Sequence, residues 1–188
     1  MTTKQVLVPI AHGSEEIETT CITDTLTRFG AKVTTASVNP NGELLCTMSR
    51  GIQVQADQVI EDAATRDWDL IVLPGGVAGA EALRDCAPLI ELLRKQKSSN
   101  KLFGAICAAP AIALATHGLI EEGAAATCYP APHFQETIPN YSKERVVVTG
   151  NMITSQGPGT SIQFALTLGE QLFGKEKRDE IAKQMLVD

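Results

Sequence analysis

A cysteine with small neighbours lies between an apolar run and a helix-forming run in residues 102–114. The order predicts a strand, then Cys107, then a helix, and a sharp turn there would lift the Cys107 sulfur out at the carboxyl end of the strand. The first free amides of the helix would then point at whatever the sulfur attacks. Pro110 suits the first helical turn, because the missing N–H has no bonding partner there. The segment fits a buried junction with an inert core cysteine equally well.

Three acidic residues follow the first predicted strand, which covers residues 6–10. Ser14 is the expected N-cap of the next helix, and Glu15 and Glu16 have the placement of a solvated helix start, where acids favour the helix dipole. Glu18 is the exception, because it shares the expected inner face of the helix and could point toward the ligand crevice of a doubly wound sheet. The other members of that expected inner face are Ile17, Cys21 and Ile22.

A glycine pair follows another apolar strand, residues 69–73. Gly75 and Gly76 would let backbone N–H groups approach a ligand closely or form an oxyanion hole. The loop has neither the G-x-G-x-x-G pattern of dinucleotide sites nor the Lys-Ser/Thr ending of a phosphate loop, so no motif predicts a dinucleotide or ATP. A flavodoxin-like FMN binder is a minor alternative, since no Ser/Thr-rich phosphate loop follows the first strand.

Cys107, Glu18 and the glycine pair each follow a predicted strand, and the carboxyl ends of parallel strands meet at one crevice. A helix N-terminus lowers the pKa of a nearby cysteine, so a reactive thiolate is expected at Cys107. An ionised carboxyl would oppose that thiolate. We therefore expect burial to keep Glu18 protonated, so that it can donate a hydrogen bond to the sulfur or transfer protons.

Strands alternate with helices along the chain, which predicts an α/β fold with a mostly parallel sheet and helices on both faces. Two hairpins interrupt the alternation, over residues 44–56 and 145–155. The tip of the first hairpin carries Arg50, which fits a surface charge better than an anion clamp. No linker or repeat is evident, so one domain is expected over residues 1–188. A helix is expected after residue 160, and its inner face would be formed by Ile162, Ala165, Leu166, Gly169 and Phe173.

Composition narrows the class of protein. The net charge of −6 argues against a nucleic-acid binder, which needs a basic face, and no run approaches the ~18 apolar residues that span a bilayer. The first residues lack the apolar segment and cleavage site of a signal peptide, so a cytoplasmic location is expected. The five cysteines are widely spaced without a CxxC pair, which predicts neither a disulfide framework nor a metal site.

Four ordered motifs resemble one protein family. They cover residues 15–18, 73–76, 105–110 and 154–160. They are similar to the ThiJ/PfpI superfamily (class I glutamine amidotransferase-like), in the branch of the Parkinson's-disease protein DJ-1 and bacterial YajL. The likeness extends over essentially the whole chain. It implies a flavodoxin-like three-layer sandwich and a homodimer.

The resemblance also implies roles for individual residues. Cys107 would be the nucleophile, Glu18 its protonated partner, and Gly76 and Ala108 the backbone donors to an oxyanion. Arg50 resembles a family arginine that lies near the dimer interface and the cysteine pocket.

Two positions depart from members of the superfamily. The protease-like branch has a histidine directly after the nucleophile, where this chain has Ala108, so a Cys-His peptidase or glutaminase site lacks its local base. DJ-1 has a histidine near the pocket where Tyr129 aligns, and a phenol is a poor base at neutral pH. Tyr129 and Gly75 are further pocket candidates, and Glu18 is expected to carry more of the proton transfer.

The resemblance implies two activities that share this site. As an enzyme without a cofactor, the protein would be a glyoxalase or deglycase: Cys107 would attack the aldehyde of methylglyoxal, of glyoxal or of their early glycation adducts. Glu18 would move the proton, and water would release lactate or glycolate. Alternatively, the protein would be a redox-sensing stress protein or chaperone whose Cys107 oxidises to sulfinic acid. The physiological substrate and the roles of the other four cysteines stay open.

Overall fold

The computed structural model describes residues 3–187, which form a seven-stranded sheet, two small sheets and surrounding helices. In chain order the strands are β1 (Gln5–Ile10), β2 (Lys32–Ser37), β3 (Leu45–Thr47), β4 (Gln53–Gln55), β5 (Gln58–Val59), β6 (Leu70–Leu73), β7 (Leu102–Ile106), β8 (Ala125–Ala126), β9 (Asn140–Tyr141), β10 (Val146–Thr149) and β11 (Met152–Ser155). The large sheet has the order β10-β11-β7-β6-β1-β2-β5. Every neighbouring pair is parallel except the β10–β11 hairpin, so the predicted mostly parallel sheet is confirmed.

Helices occupy both faces of this sheet. They are α1 (Glu16–Arg28), α2 (Ile60–Ala64), α3 (Val77–Asp85), α4 (Ala87–Ser98), α5 (Pro132–Gln135), α6 (Ser161–Phe173) and α7 (Lys175–Gln184), with a π-helix at Pro110–Ala115 and 3₁₀ turns at Pro40–Gly42 and Pro158–Thr160. Within residues 3–187, no helix combines the length and apolar character needed to cross a membrane.

The alternation of side chains along β1 explains the two helical layers. Val6 and Val8 point into the layer of α1 and α6, where they belong to one cluster with Phe164. Leu7 points to the other side and packs in the cluster that contains Leu83 of α3. All of these side chains are fully buried. A sheet that is apolar on both faces needs a helical layer on each, and the predicted three-layer α/β sandwich is confirmed.

The first predicted hairpin is also confirmed. Strands β3 and β4 pair antiparallel, and residues 48–52 form the tip between them. The hairpin is attached to the turn after β1: the Gly13 N–H donates to the Thr47 carbonyl at 2.9 Å, and the Ser49 N–H donates to the Ser14 carbonyl at 2.8 Å. These bonds bring the tip, with Arg50, to the edge of the sheet where β1 ends.

The expected N-cap of α1 is wrong. Glu15 caps the helix, because its Oε2 accepts the Glu18 N–H at 2.8 Å. Ser14 is used inside the preceding turn instead, where its Oγ accepts the Ala11 N–H at 3.0 Å.

Two apolar residues expected on inner helix faces lie outside. Ile17 is 54% exposed and Ile162 is 39% exposed. Ile17 precedes the fully buried Ile22 by five positions, which is about 140° around a helix, so the two cannot share one face. Ile162 precedes the buried Phe164 by two positions, about 160° away by the shorter path.

Candidate active site

Cys107 lies at the sharp turn between β7 and the π-helix. Its φ is 64°, in the left-handed region that costs a non-glycine residue roughly 1–2 kcal/mol. Two backbone bonds hold this conformation: the Cys107 N–H donates to the Ser155 carbonyl at 3.0 Å, and the Tyr129 N–H donates to the Cys107 carbonyl at 2.8 Å. The predicted elbow is therefore present, and neighbouring strand and loop hold the strained residue in place.

The glycine pair provides the space that this turn requires. A Cβ at Gly75 would lie 2.5 Å from the Cys107 Cβ and 2.7 Å from Glu18 Oε2, so a side chain there would overlap both groups. Gly76 has a φ of 80°, and a Cβ there would lie 2.1 Å from the Gly13 carbonyl oxygen. Glycine is required at both positions, and this close approach brings the backbone N–H of Gly76 to the Cys107 sulfur.

Glu18 has no exposed surface and lies directly behind Cys107. Its Oε2 accepts the Gly75 N–H at 2.7 Å, and its Oε1 makes no hydrogen bond of standard geometry with any residue in 3–187. Burial raises the pKa of Glu18 to about 7, although the Gly75 N–H and the Cys107 thiol favour the ionised form. Near neutral pH, Glu18 can therefore both donate and accept a proton.

The Cys107 thiol is more strongly protonated than its position at a helix start suggested. Burial and then the charge of Glu18 raise the pKa of Cys107 to about 12, whereas the N–H groups of Gly76 and Ala108 lower it. The expectation of a depressed pKa is therefore wrong, because desolvation outweighs the backbone donors. Glu18 and Cys107 repel each other only when both are charged, so a thiolate at Cys107 requires a protonated Glu18.

A cavity of about 490 Å³ opens onto Cys107. Five of the seven predicted site residues line it: Cys107, Gly76, Ala108, Arg50 and Tyr129. The other two, Glu18 and Gly75, form the buried layer behind the cysteine. The remaining lining residues are Glu15, Ser49, Val77, Phe134 and Pro158. The cavity thus combines apolar residues with one basic residue, Arg50, one acidic residue, Glu15, and two backbone donors.

The two other acids, Glu15 and Glu16, do not have the solvated environment that the sequence predicts. Glu15 and Glu16 are nearly as buried as Glu18, not a solvated helix start. Glu15 caps the helix and lines the cavity, whereas Glu16 bonds to the hairpin tip through Ser49 and Arg50. The signal for this in the sequence is the position of the three acids between a buried strand and an apolar helix face.

All five cysteines are free thiols. Burial raises the pKa of each cysteine outside the site, and for Cys128 it raises the pKa to about 11. These four thiols therefore stay protonated at neutral pH.

Comparison with known proteins identifies similar chains. The model of the DJ-1/PfpI family matches residues 4–171. Protein DJ-1 homolog B of Arabidopsis thaliana is 45% identical over 98% of this chain, which spans 42% of that protein, less than half its length. The glutathione-independent glyoxalase DJR-1.2 of Caenorhabditis elegans is 35% identical over 96% of this chain and 94% of its own.

A solved structure gives the same fold. The oxidized DJ-1 of Toxoplasma gondii superposes with a TM-score of 0.93, at 45% sequence identity, over 98% of this chain and 99% of its own. The flavodoxin-like architecture expected from the motifs is thereby confirmed.

Proposed function

The chain belongs to the DJ-1/PfpI family, and we propose that it is a glyoxalase without a cofactor that converts methylglyoxal to lactate and glyoxal to glycolate. The observation that carries the proposal is the elbow itself: Cys107, at a φ of 64°, opens to a cavity, has the buried Glu18 behind it and receives two backbone N–H donors. The name of the worm relative supports the same reaction class.

The first step is attack of the Cys107 sulfur on the aldehyde carbon. The thiol proton passes to the carbonyl oxygen, directly or through Glu18, and a hemithioacetal forms. The N–H groups of Gly76 and Ala108 point toward Cys107 and stabilise the negative charge that develops on that oxygen.

The second step moves a proton between two carbons. Ionised Glu18 removes the proton from the former aldehyde carbon, which gives an enediolate, and then delivers that proton to the neighbouring carbon. The hydroxyl proton on the former aldehyde carbon passes to the neighbouring oxygen. A thioester of lactate results. Water hydrolyses it, releasing lactate and the free thiol, so the reaction needs no external oxidant or reductant. Because burial raises the pKa of Glu18 to about 7, the same group can act as base and as acid.

Deglycation is an extension of this chemistry. In a hemithioacetal or aminocarbinol adduct, the Cys107 sulfur would bond to the same carbon while the adduct's C–S or C–N bond breaks, and the released thiol or amine would take the proton of the Cys107 thiol. The cavity of about 490 Å³ is larger than methylglyoxal requires. Kinetic comparison of methylglyoxal with a glycated amino-acid adduct, for wild type and Glu18→Gln, shows which substrate the site prefers.

The test of the enzyme is turnover of methylglyoxal without glutathione or metal, measured as lactate formed. We expect wild type to be active and Cys107→Ala to be inactive. Cys86→Ala is the matched control, since Cys86 is a half-buried thiol outside the cavity. Undiminished activity in Cys107→Ala would contradict the proposed nucleophile.

A redox sensor or chaperone is the second candidate. A sulfinate at Cys107 would accept hydrogen bonds from protonated Glu18 and from the N–H groups of Gly76 and Ala108, and the Toxoplasma gondii protein is described as oxidized. Peptide mass after mild peroxide tests this candidate. It fails if another cysteine takes up two oxygens first.

We also propose a homodimer in the cytoplasm. Ile17 of α1 is 54% exposed and Ile52, at the hairpin tip, is 58% exposed, so apolar side chains remain uncovered on two elements next to the site. Sedimentation velocity should show a dimer in wild type and a larger monomer fraction in Ile17→Glu.

A further inference from the structure

Glu16 is a buried carboxylate with no direct access to the cavity. It lies on α1 and is only 5% exposed. Its Oε2 accepts the Ser49 Oγ–H at 2.7 Å, and its Oε1 accepts the Arg50 N–H at 2.5 Å. Both oxygens are thus bonded to one short segment, the tip of the β3–β4 hairpin. A carboxylate that is only part of a helix start would instead face water.

The surroundings of Glu16 favour its charged form. Burial would raise the pKa of Glu16, but hydrogen bonds from the Ser49 hydroxyl and from the backbone N–H groups of Glu16, Arg50 and Ile52 lower it overall. Hydrogen bonds to a charged acceptor are stronger than bonds between neutral groups. The hairpin tip is therefore attached to α1 by two charge-assisted bonds.

Few other interactions hold the tip in this position. Within it, the Met48 N–H donates to the Ile52 carbonyl and the Gly51 N–H donates to the Met48 carbonyl, and these bonds only close the turn. The Ser49 N–H to Ser14 carbonyl bond attaches one backbone position. Among the ion pairs of residues 3–187, none includes Arg50, although this residue lines the Cys107 cavity.

We propose that Glu16 is a positioning residue: by bonding to Ser49 and to the Arg50 backbone, it fixes the Arg50 guanidinium at the wall of the Cys107 cavity. From that wall, Arg50 attracts a negatively charged or carbonyl oxygen of the molecule that reacts with the sulfur. The kinetic part of the inference rests on the proposed glyoxalase function. The placement of Arg50 beside the Cys107 thiol does not depend on that function.

The kinetic experiment compares Glu16→Ala, Arg50→Ala and the double variant, with methylglyoxal as substrate. Each single variant should raise KM about 5- to 20-fold and change kcat less than about 2-fold, because neither Cys107 nor Glu18 is altered. The double variant should be no worse than Arg50→Ala, since Glu16 acts only through Arg50. Glu16→Gln should recover part of the loss, because an amide oxygen can still accept the Arg50 N–H. A full additional loss in the double variant overturns the proposal.

A second experiment does not depend on turnover. Cys107 is alkylated with iodoacetate, which is anionic, and with iodoacetamide, which is neutral, and the rates are read by peptide mass. The iodoacetate to iodoacetamide rate ratio should fall about 3- to 10-fold in Arg50→Ala and equally in Glu16→Ala, without a further fall in the double variant. Asp24→Ala is the control, because it removes an exposed carboxylate from the same helix.

The two experiments separate the two proposals. If wild type fails to turn over methylglyoxal but the alkylation ratios behave as expected, the glyoxalase proposal fails and the role of Glu16 stands. If Glu16→Ala keeps the wild-type ratio while Arg50→Ala lowers it, or if Arg50→Ala leaves the ratio unchanged, the positioning role is overturned. If Glu16→Ala does not give the circular dichroism spectrum of a folded protein, the iodoacetate to iodoacetamide rate ratio is measured in Ser49→Ala and Glu16→Gln instead. A wild-type ratio in both variants would then overturn the positioning role.

Discussion

Cys107 and Cys46 are thiols in two pockets of one protein, and only the first is our proposed nucleophile. Cys46 is fully buried in the β3–β4 hairpin, where Asn39 Nδ2 donates to its sulfur at 3.3 Å and Ser37 Oγ lies 3.8 Å away. Burial raises the pKa of both thiols. Burial and hydrogen bonds therefore do not distinguish the reactive cysteine.

The distinguishing features of the Cys107 pocket are a proton acceptor and an opening. Glu18 titrates near neutral pH and faces the Cys107 sulfur, whereas the groups that contact the Cys46 sulfur are neutral amide, hydroxyl and carbonyl groups. Cys107 also opens to a cavity. A buried thiol becomes a usable nucleophile when a neighbour can exchange its proton and a substrate can reach it.

The largest expected effect follows removal of the carboxyl group of Glu18, the partner of Cys107. Glu18→Gln should lower kcat for methylglyoxal about 10²- to 10⁴-fold, because no group remains to move the proton between carbons. The same change should lower the pKa of Cys107, because the repelling charge of Glu18 is gone. Turnover should therefore fall while the iodoacetamide reaction of Cys107 at pH 8 becomes faster.

Cys46 is the internal reference for that measurement, and its alkylation after unfolding should be the same in both proteins. A Glu18→Gln protein in which Cys107 also alkylates more slowly would show that Glu18 promotes the thiolate, contrary to this assignment.

The raised pKa of Glu18 also predicts how stability depends on pH. The folded protein binds this proton with a pKa of about 7, compared with an ordinary value of 4.5 when unfolded. The stabilisation is therefore complete below pH 4.5 and is lost as the pH rises through 7, by about 3 kcal/mol in total. Urea denaturation of wild type and Glu18→Gln at pH 5 and pH 8 measures it. Relative to wild type, Glu18→Gln should be more stable at pH 8 than at pH 5. If the difference in unfolding free energy between the two proteins is the same at both pH values, the raised pKa of Glu18 is contradicted.

A third prediction concerns the space between the two groups. Gly75→Ala places a Cβ 2.5 Å from the Cys107 Cβ and 2.7 Å from Glu18 Oε2. Displacing either group should lower kcat/KM about 100-fold, since small misplacements in a reacting pair have effects of that size. Gly159→Ala is the control, because a Cβ there meets no atom within 4 Å and its φ lies outside the left-handed region. Equal activity in the two variants would mean that Cys107 and Glu18 need no fixed spacing.

The order of secondary structure and the position of Cys107 could be predicted from the sequence, because strand–cysteine–helix and the glycine pair are local patterns. The environments of the α1 acids could not, because they depend on contacts with distant segments. Glu16, for example, hydrogen-bonds to Ser49 and Arg50, which are more than 30 positions away in the sequence. The pKa of Cys107 was predicted in the wrong direction for the same reason: a helix start can be recognised locally, whereas desolvation by packed neighbours cannot.

The smallest expected effect lies in the second pocket. Cys46→Ser replaces the sulfur with a hydroxyl that can still accept from Asn39 and donate to Ser37, but oxygen is smaller and more polar than sulfur. We expect about 1 kcal/mol lower unfolding free energy, because a fully buried position loses packing volume and gains a polar atom. Turnover of methylglyoxal should stay within about 2-fold of wild type, because the groups that exchange protons are untouched. A loss of turnover larger than the loss of folded protein would mean that the hairpin transmits strain from Cys46 to Arg50, and the two pockets would then act as one unit.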